Sequence, residues 1–180
     1  MLAAPMTFTI RSLDRQKDRK AVEAIDTSFE TSTVFDLVAS QRRLELHERA
    51  LATPLTKRYE IGEVFAPWAS WNVGWVAEAD GGVRGFATAE YEGWNGRVNL
   101  WFLYIAPPWR RHGLGRALIA HVEAHARKLG ASHVWLETSS VNVPGVRAYE
   151  RLGFALCGAD QTHYGRYMPG ETAIFLAKRL

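Results

Sequence analysis

Residues 97–129 read as three joined elements. Residues 97–105 form an apolar, strand-like run, Pro107 and Pro108 break it, and a short basic turn follows at Arg110, Arg111, His112 and Gly113. Residues 114–129 then carry apolar side chains at helical spacing, and Gly130 stands where a left-handed cap commonly ends a helix. A strand that passes through a glycine turn into a helix N-terminus points several backbone N–H groups outward, and the helix dipole adds about half a positive charge there. That arrangement suits a phosphate. Gly113 and Gly115 have no Cβ, so a ligand can come close to the main chain, and Arg110, Arg111 and Arg116 add positive charge.

The rest of the chain supplies a sheet around that helix. Residues 7–13 alternate as a first strand, residues 17–29 carry a helical stripe, and residues 28–33 read as a polar loop. Residues 37–52 read as a second helix, with Leu44, Leu46 and Leu51 as apolar contacts, and residues 54–72 as an irregular connection. Strands at 73–79 and 83–91 flank a hairpin turn at Asp80, Gly81 and Gly82. A buried strand at 132–138, a helix from Asn142, Val143 and Pro144 to Leu152, and strands at 154–157 and 171–177 complete the chain, with a loop or hairpin at 158–169. This is an α/β (α+β) pattern with a mixed, mostly antiparallel central sheet of about six to seven strands flanked by helices. At 180 residues it suits one domain, residues 1–180, with a core at about 7–178.

Composition narrows the function classes. The apolar fraction is 47% and the charged fraction 23%, as in a soluble globular domain, and no apolar run is long enough for a membrane span. The first six residues lack the layout of a secretory signal, and a single cysteine, Cys157, fits a reducing cytoplasm; it is expected as a buried structural thiol. The net charge of +3 comes from dispersed basic residues, so no nucleic-acid partner is expected. His121 and His125 are four apart on the long helix, but no third ligand accompanies them, so no metal is expected. Most of the seven tryptophans should be core, with several placed to wall a substrate.

The spacing Arg110-x-x-Gly113-x-Gly115 resembles the diphosphate-binding signature of the GNAT (Gcn5-related) N-acetyltransferases. A second motif follows at family order: Leu136 and Glu137 on a strand, then Asn142, Tyr149, Gly153 and Phe154. Within the family, Ser28-Phe29, residues 33–35, residues 134–137, Val141-Asn142, Ala148-Tyr149, residues 152–154, Cys157-Gly158 and Tyr164 resemble the streptothricin acetyltransferases. One departure is the strand before the turn. That group tends to carry acidic residues there, whereas this chain has Trp101, Phe102, Leu103 and Tyr104, which suits a less strongly charged acceptor.

The resemblance implies acetyl-CoA as cosubstrate, no metal, and transfer to a primary amine of a small molecule such as an aminated antibiotic, through a direct ternary complex. It implies a cytoplasmic monomer or homodimer with neither nucleic-acid nor membrane partners. Peptide or ribosomal-protein N-terminal acetylation and a non-catalytic acetyl-CoA-sensing module are the competing readings. In this family the sheet splays at the cosubstrate, so the resemblance assigns main-chain contacts to Leu103, Tyr104 and Ile105. The diphosphate falls to Arg110, Arg111, His112, Gly113, Leu114, Gly115 and Arg116, with Asn142 as a further cofactor contact. Tyr149 is the candidate general acid rather than a packing residue of its helix, since a phenol of pKa about 10 can serve a departing thiolate of pKa about 8.5. Glu137 is the base or a structural carboxylate, with Glu90 and Glu92 as alternatives, on one face of their strand. Glu90, Glu92, Trp101 and Tyr164 are the candidate acceptor contacts.

Overall fold

The computed structural model describes residues 7–180 and divides into two compact units. The first comprises residues 7–28, Arg58–Val134 and Leu180; the second comprises Phe29–Lys57 and Trp135–Arg179.

In the first unit, four strands lie in the antiparallel order β1 (Thr9–Ser12), β4 (Val73–Ala79), β5 (Gly82–Glu92) and β6 (Arg97–Ile105). Register sets Glu90 opposite Asn99 and Ala87 opposite Leu103. The β4–β5 turn places Asp80 at φ 46° and Gly81 at φ 70°, the left-handed pair that matches hairpin twist. Helix α2 (Leu114–Lys128) packs on β4, β5 and β6 through Leu118, Val122 and Ala126, each fully buried. A separate cluster joins Val22, Ile25, Val64, Trp71, Val76 and Phe86. His121 is exposed and His125 half-buried on α2, with their rings 6.4 and 5.7 Å from that of Trp75 on β4.

Helix α1 (Arg19–Glu23) is only five residues long, not the segment 17–29 expected from its apolar stripe. Local side-chain bonds explain both ends. The Asp18 carboxylate accepts two bonds from Arg11 at 2.7 Å and one from the Asp14 N–H, which fixes a turn before the helix. After it, the Asp26 carboxylate accepts from the Ser28 N–H and hydroxyl, an Asx turn that competes with further helix.

The second unit corrects the sequence reading most. The segments read as a loop at 28–33 and a helix at 37–52 form instead, from Phe29 on, a long hairpin, β2 (Phe29–Ser40) and β3 (Arg43–Lys57). Most of β3 is exposed or half-buried, so no apolar face imposes a period of two on its sequence. Cross-strand pairs hold it: Leu37 faces Leu46, and Arg49 donates to Asp36 at 2.6 and 3.1 Å. Pro54 falls in the irregular register between Thr31 and Thr33, where a missing N–H is tolerated.

In the same unit, β7 (His133–Ser139), β9 (Ala173–Arg179) and β8 (Ala155–Asp160) lie in that spatial order, β8 and β9 antiparallel. Helix α3 (Val143–Arg151) follows β7. Cys157 is exposed on β8, contrary to the expected buried thiol; the bulge between Leu156 and Gly158 disrupts the alternation on which that expectation rested. No helix among the described residues is long and apolar enough to cross a membrane.

Candidate active site

In the first unit, the basic turn is built by the end of β6 and the start of α2. Ala106 donates to Arg84 at 2.8 Å, Pro107–Trp109 makes a single 3-10 turn, and buried Trp109 anchors it. Half-buried Arg110 donates from Nε to the Ile105 carbonyl at 3.0 Å. Desolvation pulls its guanidinium down from a value so high that it stays charged, and Asp26 opposes the shift. Arg111 is left-handed at φ 66° and Gly113 at φ 90°, so the chain curls before the helix begins. The first helical acceptor is the Gly113 carbonyl, taken by the Ala117 N–H at 3.0 Å. The N–H groups from Gly113 to Arg116 therefore precede the intrahelical ladder. Leu114 is buried beneath them, while Arg111, His112 and Arg116 are exposed and α2 has no acidic residue in its first turn.

The two turn glycines separate protein packing from ligand approach. Gly113 needs its left-handed φ. Gly115 does not, and a Cβ built there meets no atom within 4 Å. A helical glycine is destabilising relative to alanine, so nothing in the surrounding protein accounts for Gly115. Close approach of a ligand to the backbone does account for it, and the turn's cationic, N–H-rich chemistry fits a diphosphate.

Leu103, Tyr104 and Ile105 are half-buried on β6 opposite Ala87, Phe86 and Gly85. The Tyr104 ring packs near Tyr59 and Phe86, at 6.2 and 5.8 Å, so the main chain is the part of this stretch suited to a ligand.

Glu90 and Glu92 prove unlike each other. Glu92 accepts from Arg97 Nε at 2.7 Å and from Asn95 at 2.9 Å, which closes the end of the β5–β6 hairpin. Glu90 accepts from Trp101 Nε1 and from Ser70 Oγ, both at 3.0 Å and both on Oε2. The exposed Trp68 ring lies 6.2 Å from that of Trp101. Sequence reasoning found Glu90 and Trp101 but missed Ser70 and Trp68, which stand in the aperiodic 54–72 segment; its density of aromatics was the only available signal.

In the second unit, β7 carries Glu137 and α3 carries Tyr149. The Tyr164 hydroxyl donates to the Glu137 carboxylate. Burial pushes the Glu137 pKa up, against the hydrogen bond from Tyr164 and the nearby His163. Burial, reinforced by the Glu137 charge, also pushes the Tyr149 phenol up, above its ordinary value of 10.0. The structure thus brings Glu137, Tyr149 and Tyr164 into one ionisable group of side chains and adds His163, which the sequence did not single out. Asn142 caps α3: its Oδ1 accepts from the Gly145 N–H at 3.1 Å and its Nδ2 donates to Thr138 Oγ1 at 2.9 Å. Among the described residues, no group of three or more His, Cys, Asp or Glu could hold a metal ion.

Comparison with known proteins agrees with this chemistry. The family model for the acetyltransferase (GNAT) family matches residues 41–154. A streptothricin acetyltransferase of Streptomyces lavendulae is 37% identical over 179 residues, covering 95% of this chain and 94% of that protein. The crystal structure of a nourseothricin acetyltransferase superposes with a TM-score of 0.85 at 37% identity, over 96% of this chain and 98% of that one. A Bacillus anthracis structure in complex with acetyl coenzyme A shares the fold, with a TM-score of 0.81 at 24% identity, over 97% and 99% of the two chains.

Proposed function

We propose, because this chain belongs to the GNAT family and is an acetyl-CoA-dependent N-acetyltransferase, that its acceptor is a primary amine of a streptothricin-type antibiotic. The observation that carries this reading is the 37% identity to the Streptomyces lavendulae enzyme, sustained over 95% of the chain rather than over the phosphate turn alone. The protein works in the cytoplasm, where acetyl-CoA is available, as a monomer or homodimer.

Acetyl-CoA supplies the activated acetyl group. The N–H groups from Arg111 to Arg116, with the Arg110, Arg111 and Arg116 charges and the exposed His112, bind the diphosphate. The main chain of Leu103, Tyr104 and Ile105 orients the thioester, as a backbone donor in an oxyanion hole does. Asn142 contacts the cosubstrate only insofar as its capping bonds allow, since both ends of its amide are already engaged.

An amine attacks only when neutral, and Glu137 is the group suited to remove its proton. An ordinary carboxylate lies about six units below an alkylammonium, and the upward shift of Glu137 narrows that gap. Tyr149 Oη holds the proton that the departing thiolate needs. The raised phenol pKa keeps that proton in place at working pH and makes full donation to a thiolate of about 8.5 uphill by itself. Tyr149 therefore donates a hydrogen bond first, gives its proton to the sulfur as the C–S bond breaks, and regains one from the second nitrogen proton released as the amide forms, while the first stays on Glu137. Glu90, Trp101 and Tyr164 are the acceptor-side groups, while Glu92 stays with Arg97 and Asn95 at the hairpin end.

Thiol release tests the reading. With acetyl-CoA and nourseothricin, the protein should release coenzyme A and yield a monoacetylated antibiotic by mass spectrometry. Release no faster than with acetyl-CoA alone would rule this acceptor out, and a protein that bound acetyl-CoA without turning over any amine would be a sensor.

A further inference from the structure

We infer that Glu90, with the Trp68 and Trp101 rings, is a specificity subsite for a second, non-reacting ammonium group on the acceptor. This rests on the acceptor being an amine and adds which of its features the protein reads.

The geometry distinguishes Glu90 from its neighbour. Glu92 is occupied by Arg97, whereas among the described residues no Lys, Arg or His is paired with Glu90. Trp101 Nε1 and Ser70 Oγ both bond Oε2, so the carboxylate is oriented by two neutral donors while Oε1 is left for another partner. Neutral donors hold the group in place without neutralising its charge. The Trp101 indole bonds the carboxylate, and the Trp68 ring, 56% exposed, lies 6.2 Å from the Trp101 ring and tilted by 41° to it. A carboxylate bonded to one indole, with a second, exposed indole beside that ring, is chemistry suited to an alkylammonium.

The same charge argues that the bound nitrogen is not the one acetylated. A carboxylate beside an ammonium stabilises the protonated form, and a protonated amine has no lone pair with which to attack. Glu90 is therefore suited to a nitrogen that stays charged throughout. Trp101 and Leu103 are two residues apart on β6, about 7 Å along the strand. A short alkyl chain can span that distance, so the acceptor class is a diamine or polyamine arm. The stretch 101–104 is aromatic and apolar, and Glu90, from the adjacent strand β5, supplies a negative charge beside it.

Two measurements on the full chain test this. In the first, Glu90→Gln and Trp68→Ala are compared with the parent, using nourseothricin as acceptor and varying each substrate in turn with the other saturating. The expected result is an acceptor KM raised about tenfold to a hundredfold with an unchanged acetyl-CoA KM, and partial recovery in Glu90→Asp. An unchanged acceptor KM, or a parallel rise in both constants, would overturn the inference. The second needs no turnover: 1,5-diaminopentane and pentylamine are titrated against intrinsic tryptophan fluorescence. A saturable change with the diamine, reduced at least tenfold in affinity by Glu90→Gln, supports the subsite; its absence in the parent overturns it. If nourseothricin is not acetylated but the diamine binds at Glu90, only the antibiotic reading falls.

Discussion

Replacing Gly115 with alanine should stabilise the protein and weaken its hold on acetyl-CoA. The added methyl group meets no atom within 4 Å, so no packing penalty arises. Alanine is favoured over glycine by about 1 kcal/mol in a helix interior, and about half of that is reasonable for a residue in the first turn of α2. For a chain of this length, that corresponds to a rise in Tm of about 1–2 °C. The same methyl group stands on the main chain proposed to face the diphosphate. Losing one hydrogen bond to a charged oxygen costs about 1.5–3 kcal/mol, a loss of affinity of roughly tenfold to a hundredfold. Thermal melts without ligand and calorimetric titration of acetyl-CoA read the two effects separately. Gly113 is the poorer test, because its φ of 90° would strain any replacement. A variant that melts higher yet binds acetyl-CoA as the parent does would remove the backbone of this turn from the cosubstrate site.

Three further perturbations follow from the ionisable groups. Tyr149→Phe should lower kcat by about two orders of magnitude or more with little change in acetyl-CoA KM, read by steady-state thiol release; full activity would exclude the phenol from proton transfer. Glu137 works as a base only when ionised, and its pKa is raised, so activity should climb with pH through a limb above the ordinary carboxylate range. Glu137→Gln should abolish that limb in a pH–rate profile, and an unaltered profile would remove Glu137 from the base role and leave it to water. Asp18 has its pKa lowered by Arg11, so it contributes stability above the unfolded carboxylate value of about 3.9 and loses it as pH falls through the folded value. Asp18→Asn should cost about 1–3 kcal/mol in urea unfolding at pH 7, discounted because Arg11 is 41% exposed, and the two proteins should converge in acid. Equal stability at pH 7 would mean that the ion pair contributes nothing net.

The strands at Val73–Ala79 and Arg97–Ile105 and the helix from Leu114 were legible in the sequence to within a residue. Each buries a face, and burial writes periodicity into the residues. The β2–β3 hairpin was not legible for the converse reason. Its residues face solvent along much of their length, so leucines, glutamates and arginines with good helix propensity adopted strand under cross-strand pairing. The phosphate turn was legible because two glycines and a Pro-Pro break are local signals. The Glu90 arrangement was half legible: charge and aromaticity can be read from a string, but the distance from Ser70 to Glu90 depends on how the aperiodic 66–72 segment lies beside β5. Likewise, nothing in the sequence distinguishes Glu90 from Glu92; only Arg97 does.

The amide of Asn142 has a mechanical role that a motif comparison hides. With one atom on Thr138 at the end of β7 and the other on the first turn of α3, it fastens a strand to a helix. Glu137 rides on the one and Tyr149 on the other, so the joint fixes the spacing across which the carboxylate acts on the phenol. Truncating Asn142 would free that joint and detune both ionisations together, even where neither acidic side chain had been touched.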